Sequence, residues 1–135
     1  MKINIGVEKI NFERNKIGNN GALAIASALK INSTIKKINF QRNYIGSKGC
    51  IALAKALKEN KTIQILNLNY NTIGVNGVSA FVDALKIKEI SLQGCKIGPK
   101  GAIAVANGLK NSEQLKILNL FNNNIRDEGA IALAS

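Results

Sequence analysis

Histidine and tryptophan are absent from this 135-residue chain, and proline occurs once, at Pro99. Without histidine there is no Ser-His or Cys-His pair to activate a nucleophile. The acidic residues number only eight: Glu8, Glu13, Glu59, Asp83, Glu89, Glu113, Asp127 and Glu128. They are scattered, and Glu8 and Glu13 come nearest to a carboxylate pair. Lys9 and Arg14 beside them suggest a solvated charge cluster rather than a general acid and base. Two cysteines, Cys50 and Cys95, make no disulfide framework in a chain of this size, which suits a reducing setting. No glycine-rich phosphate loop is present. The expectation is therefore a protein that is not an enzyme and carries no cofactor and no metal. Apolar runs are short, as in Ala22-Leu23-Ala24-Ile25-Ala26, so no segment approaches the length of a membrane span. Met1-Lys2-Ile3-Asn4 does not open the apolar core of a signal peptide, and a cytoplasmic location is expected. No Pro/Gly/Ser-rich linker interrupts the chain, so a single domain is expected.

What is abundant is base and repetition. Nineteen Lys and Arg give a formal net charge of +11, a balance that raises nucleic acid or a membrane surface as a partner. The chain is also heavy in Ile, Lys and Asn, the bias of an AT-rich coding sequence, which explains much of the lysine excess. Internal self-similarity is strong. Asn15, Asn43, Asn71, Cys95 and Asn123 recur at spacings of 28, 28, 24 and 28 residues, and a glycine follows six residues after each, at 21, 49, 77, 101 and 129. Three apolar columns precede them. The first is Val7, Ile35, Ile63, Ile87, Leu115; the second is Ile10, Ile38, Leu66, Ile90, Leu118; the third is Phe12, Phe40, Leu68, Leu92, Leu120. Isoleucine follows at 17, 45, 73, 97 and 125, and Leu29, Leu57, Leu85 and Leu109 close the full units.

This pattern resembles the leucine-rich repeat, L-x-x-L-x-L-x-x-N/C-x-L, over the whole chain. The long unit and its alanine-rich segments, such as Gly21 to Leu29, resemble the ribonuclease-inhibitor subtype, which also serves in NOD-like immune receptors and some GTPase-activating proteins. The resemblance implies a right-handed α/β solenoid with a parallel sheet on the concave face, helices on the convex face, and a role in protein recognition. The units are 7–34, 35–62, 63–86, 87–114 and 115–135, with 1–6 as the tail of a preceding unit.

The residues support the same architecture independently. Alternation at Ile10 and Phe12 is that of a half-buried strand, and strands are expected to centre near Asn11, Asn39, Asn67, Ser91 and Asn119. Ala22, Ile25, Ala26 and Leu29 fall on one helical face, and Asn19, Ser47 and Asp127 are candidate N-caps. One unit cannot bury both its faces, so neighbours must share a core. The asparagine column is expected to bond turn backbone along the stack. Cys95 replaces asparagine in the fourth unit. Cys50 stands where Ala22, Val78, Ala102 and Ala130 stand, on the helix core face, so both thiols are expected to be reduced. The third unit is four residues short, since Lys86 runs directly into Ile87, which predicts a tighter connection and a local kink.

Lys2, Lys30, Lys58, Lys86 and Lys110 share one position after the last helical leucine, where a cation complements the helix dipole. Leu23, Ile51, Ile103 and Ile131 form an apolar row on the helix flank, expected to pack on neighbouring helices or else to meet a lateral partner. Outward strand residues build the concave face. Its central row, Asn11, Asn39, Asn67, Ser91 and Asn119, either bonds across strands or meets a ligand. Ile65, Tyr70, Ile117 and Phe121 break its polar pattern and are candidate anchors, although scattered surface apolar residues are common.

The expected function is a protein-recognition scaffold that binds its partner on the concave face through Ile65, Asn67, Asn69, Tyr70, Ile117, Asn119, Phe121, Lys37 and Arg42. The alternative is a basic binder of nucleic acid or another polyanion through Lys9, Arg14, Lys36, Lys37 and Arg42. Inhibition of a ribonuclease is disfavoured, because such targets are basic and like charges repel across an interface. Met1-Lys2-Ile3-Asn4 matches Leu29-Lys30-Ile31-Asn32, and Ser135 is equivalent to Ser27. A piece of a longer array, prone to head-to-tail self-association, is the resulting expectation.

Overall fold

A computed structural model of the chain describes residues 6–135; Lys2 and the rest of Met1 to Ile5 lie outside the described residues. Five three-residue strands alternate with helices: β1 Lys9–Asn11, α1 Gly18–Leu29, β2 Lys37–Asn39, α2 Ser47–Glu59, β3 Ile65–Asn67, α3 Gly74–Phe81, β4 Glu89–Ser91, α4 Gly98–Leu109, β5 Ile117–Asn119 and α5 Arg126–Ala134. The strands form one sheet in sequence order, every pair parallel. The register follows the apolar columns, with Ile10, Ile38, Leu66, Ile90 and Leu118 in one row. The strands end, rather than centre, at Asn11, Asn39, Asn67, Ser91 and Asn119.

The core lies between sheet and helices. Ile38, Phe40, Ile45, Leu66, Leu68, Ile73, Ile90, Leu92 and Ile97 are essentially inaccessible. Their equivalents in the first and last units, Ile10, Phe12, Ile17, Leu118, Leu120 and Ile125, are half-buried, because a neighbour covers them on one side only. The Phe12 and Phe40 rings stack at 5.6 Å between centroids.

Asparagine amides join the units. Asn43 Oδ1 accepts the N–H groups of Asn15 and Ile17 in the preceding unit, and its Nδ2 donates to the carbonyls of Phe12 and Phe40. Asn71 repeats this toward Asn43, Ile45, Phe40 and Leu68, and Asn123 toward Cys95, Ile97, Leu92 and Leu120. A thiol supplies half of this pattern. Cys95 Sγ donates to Leu68 O at 3.1 Å but offers no amide oxygen in return. A second, unforeseen set of amide bonds closes the helix C-terminus, where Asn60 Nδ2 donates to the carbonyls of Leu29 and Asn32 one unit earlier.

The N-cap assignments are corrected. Among the described residues no helix has a side-chain bond at its own N-cap, and the capping positions are Ile17, Gly46, Ile73, Ile97 and Ile125. Asn19 and Asp127 lie inside the first turns of α1 and α5, and Ser47 opens α2. Asn19 instead caps its neighbour: its Oδ1 accepts the N–H groups of Gly46 and Gly49 at the start of α2. The start of α2 lies so close to the first unit that its acceptor comes from α1. Gly49 allows that approach, since a Cβ there would stand 2.8 Å from Asn19 Oδ1 and 2.9 Å from Ala22 Cβ.

The shortened third unit truncates its helix. α3 gives way after Phe81 to a single 3₁₀ turn, Val82–Ala84, which leads into β4. This tighter winding absorbs the missing residues. Of the lysine row, Lys30 and Lys110 occupy C-cap positions and Lys58 lies in the last turn of α2, where it also pairs with Asp83 at 3.5 Å. On the convex flank the apolar row is less covered than expected. Leu23, Ile103 and Ile131 remain exposed, because the alanines beside them draw the helices together below the level of these longer side chains.

Candidate functional site

The open face of the sheet presents two rows of the strands themselves and two rows of the turns that follow them. Lys9, Lys37, Ile65, Glu89 and Ile117 stand in register along one row. Ile117 is 53% exposed, while Ile65 is half-buried, and Glu89 separates them. Phe121, at the exit of β5, is 65% exposed. Lys37 and Arg42 are exposed, and Tyr70 stands at the margin of exposure.

The amide row behaves differently from the cross-strand pairing considered above. Asn11, Asn39, Asn67 and Asn119 each turn Oδ1 onto the N–H two residues ahead in their own unit, at Glu13, Gln41, Asn69 and Phe121. These are Asx turns, which satisfy backbone where the strand ends. Ser91 is too short to do the same. Asn69 Oδ1 replaces it, accepting both Ser91 Oγ and the Gln93 N–H at 2.7 Å. Asn69 is consequently buried. Asn67 Nδ2 donates to Gln41 Oε1. The amide row thus shapes the floor on which the exposed side chains stand.

The two acidic residues of the first unit on this face, Glu8 and Glu13, are paired. Glu8 meets Lys36 at 2.8 Å, and that hydrogen bond holds its carboxyl below the usual carboxylate range while raising the Lys36 ammonium. Glu13 accepts Gln41 Nε2 and lies 3.9 Å from Arg14 Nε. A carboxyl shifted downward is a poor proton donor at neutral pH. Among the described residues, no group of three or more His, Cys, Asp or Glu is placed to hold a metal ion.

At the strand-exit edge, Arg14, Lys16, Arg42, Tyr44 and Tyr70 line a groove of about 500 Å³. The Arg42 guanidinium lies over the Tyr70 ring, 4.7 Å from its centroid. Gln93 Nε2 donates to the Tyr70 hydroxyl. The ring rests against Gly94, where a Cβ would stand 2.6 Å from its Cδ1. Gly94 also has φ +63°, so both the backbone and the ring require glycine there. Sequence reasoning placed Arg14, Arg42 and Tyr70 on the face but missed Lys16 and Tyr44. The available signal was their repeat position, two residues beyond Arg14 and Arg42 in the same turn.

Comparison with known proteins sets this geometry in context. The family described as Leucine Rich repeat matches at residues 6–26, 32–54, 59–82, 85–106 and 111–134. Among solved structures, "Leiomodin-1 Actin-Binding Site 2 (ABS2)" superposes with a TM-score of 0.79 at 26% identity, covering 93% of this chain and 78% of that one. The tropomodulin C-terminal domain of Caenorhabditis elegans superposes with a TM-score of 0.74 at 13% identity, covering 97% of this chain and 84% of that one; at that identity it speaks for the fold alone. No curated protein matches the sequence significantly. No helix among the described residues is long and apolar enough to cross a membrane.

Proposed function

The chain belongs to the leucine-rich repeat family, and on that premise we propose that it is a protein-recognition scaffold whose partner contacts the concave face. The observation that carries this reading is the exposure of Ile117 and Phe121 on a largely polar strand face. Large apolar side chains standing on a rigid, hydrogen-bonded floor are suited to anchor an interface. Ile65, Asn67, Tyr70 and Asn119 complete the central and C-terminal part of the surface over the buried Asn69, and Lys37 and Arg42 supply charge on its N-terminal side.

The leiomodin-1 segment is an actin-binding site, which makes actin the first partner to test. Cosedimentation with actin filaments would compare the parent chain with an Ile117→Ser/Phe121→Ala double variant. The parent is expected to pellet with filaments, and the double variant to bind at least about tenfold more weakly, as loss of a hot spot implies. Equal binding by both removes Ile117 and Phe121 as anchors and with them the concave-face reading.

A further inference from the structure

We propose that the groove at the strand-exit edge of the first three units is a docking site for a carboxylate-rich peptide segment of a protein partner. The proposal rests on the protein-recognition reading and adds the chemistry of what is recognised. The groove holds three cations, Arg14, Lys16 and Arg42, and no acidic side chain lines it. Arginine guanidinium groups accept carboxylates in a fixed, two-pronged geometry. Arg42 is held over Tyr70, whose hydroxyl is tied to Gln93 and whose ring rests on Gly94. A donor already ordered loses less freedom when it binds.

Backbone conformation gives an independent indication. Arg14, Lys16, Arg42, Tyr44 and Tyr70 all adopt positive φ, between 52° and 59°. That region disfavours bulky residues, and Gly or Asn adopts it more readily. At the equivalent turns of the last two units, three of the four positions are Gly94, Asn122 and Asn124, with Lys96 the fourth. Five of the nine non-glycine residues with positive φ among the described residues line the groove; the others are Lys96, Asn122, Asn124 and Arg126. Such strain is informative when it gathers at one surface.

The same geometry argues against a nucleic-acid strand. Binding of single strands relies on open aromatic faces on which bases stack. Tyr70 has Arg42 over its ring and Gly94 against it, which leaves Tyr44, 72% exposed, as the one open ring of the groove.

The test uses fluorescence anisotropy with a short labelled peptide alternating Glu and Gly, and an oligothymidylate of equal charge. Arg14→Asn and Arg42→Asn are chosen because asparagine tolerates the left-handed conformation, so the turn is retained; circular dichroism checks the fold. The double variant is expected to bind the peptide at least about tenfold more weakly, as loss of paired charges implies. Lys100→Asn, on the convex side, is expected to change it less than about twofold, as for a remote charge. Phe121→Ala, two units from the groove, is expected to leave peptide binding unchanged, so the groove and the concave anchors fail separately. The proposal is overturned if the peptide does not bind, if Lys100→Asn weakens it as much as the groove variants do, or if the oligothymidylate binds more tightly and responds to the same substitutions.

Discussion

At Asn71 one amide serves two units: Oδ1 accepts the Asn43 and Ile45 N–H groups, and Nδ2 donates to the Phe40 and Leu68 carbonyls. All of this is buried, so truncation strands the Asn43 and Ile45 N–H groups, while the Phe40 and Leu68 carbonyls still accept from Asn43 Nδ2 and Cys95 Sγ. Each stranded group costs about 1–3 kcal/mol, and Asn71→Ala is expected to destabilise by about 3 kcal/mol or more in urea denaturation. Asn71→Cys should cost less, because Cys95 shows that a thiol in this column still donates across the stack. Equal losses would mean that the donor contributes nothing. The two thiols make a second prediction. Burial raises the Cys95 pKa from 9.0 to about 11, and burial together with the nearby Cys95 charge raises Cys50 further. A folded state that resists ionisation binds more protons than the unfolded chain above pH 9, so stability falls as pH rises. The contribution is complete below the unfolded pKa near 9 and is lost progressively as pH rises toward 11 and beyond. Cys50→Ala, which places there the residue found at Ala22 and Ala102, should show a shallower alkaline fall in Tm than the parent. An identical alkaline slope would exclude the buried thiol as its cause.

At the scale of the element, the repeat was legible because each column maps to one structural layer. The apolar rows, the glycine after each turn and the length of the helices all agreed on strand, turn and helix. What was not legible depends on the neighbour. Asn19 reads as the cap of its own helix by sequence adjacency, yet it caps α2 because units stack closely enough to share it. Lys16 and Tyr44 were overlooked because alternation was followed only along the strand. The left-handed turn beyond the strand projects residues two apart onto the same edge. The truncated third helix offers a test of how tightly elements fit. A glycine within a helix normally gains about 1 kcal/mol on replacement by alanine. Gly108, in α4, faces the 3₁₀ turn of the third unit, and a Cβ there would stand 2.6 Å from Val82 Cβ and 3.1 Å from its backbone Cα. Backbone cannot swing aside as a side-chain tip can. Gly108→Ala is therefore expected to lower stability, reversing the sign that propensity alone predicts. A raised Tm would show that the two elements separate without loss.

For the whole molecule, the hydrogen bonds and the core share one dependence: each unit is completed by its neighbours, as Asn43 serves the unit before it and Asn19 the unit after it. Interior rows are covered on both sides, while Ile10, Phe12 and Ile17 in the first unit, and Leu115, Leu118, Leu120 and Ile125 in the last, are only partly covered. Stability in such a stack is a sum of nearest-neighbour terms, so the middle units should open last in hydrogen exchange. The same partly covered rows are complementary in kind, since each continues the columns of the other. In the 135-residue chain studied alone, contact between a first unit and the last unit of a second copy would bury them. Such a heterologous contact need not close, so open stacks rather than a defined dimer are the expected form. Light scattering across a concentration series is expected to show a continuous rise in mass without a plateau at two copies. Phe12→Lys places a charge in the contact and should suppress that rise. Its near neighbour Phe40, with which Phe12 stacks, remains within the core to hold the fold. A constant monomer mass for the parent, at concentrations approaching the millimolar range, would show that the partly covered rows do not associate in this way.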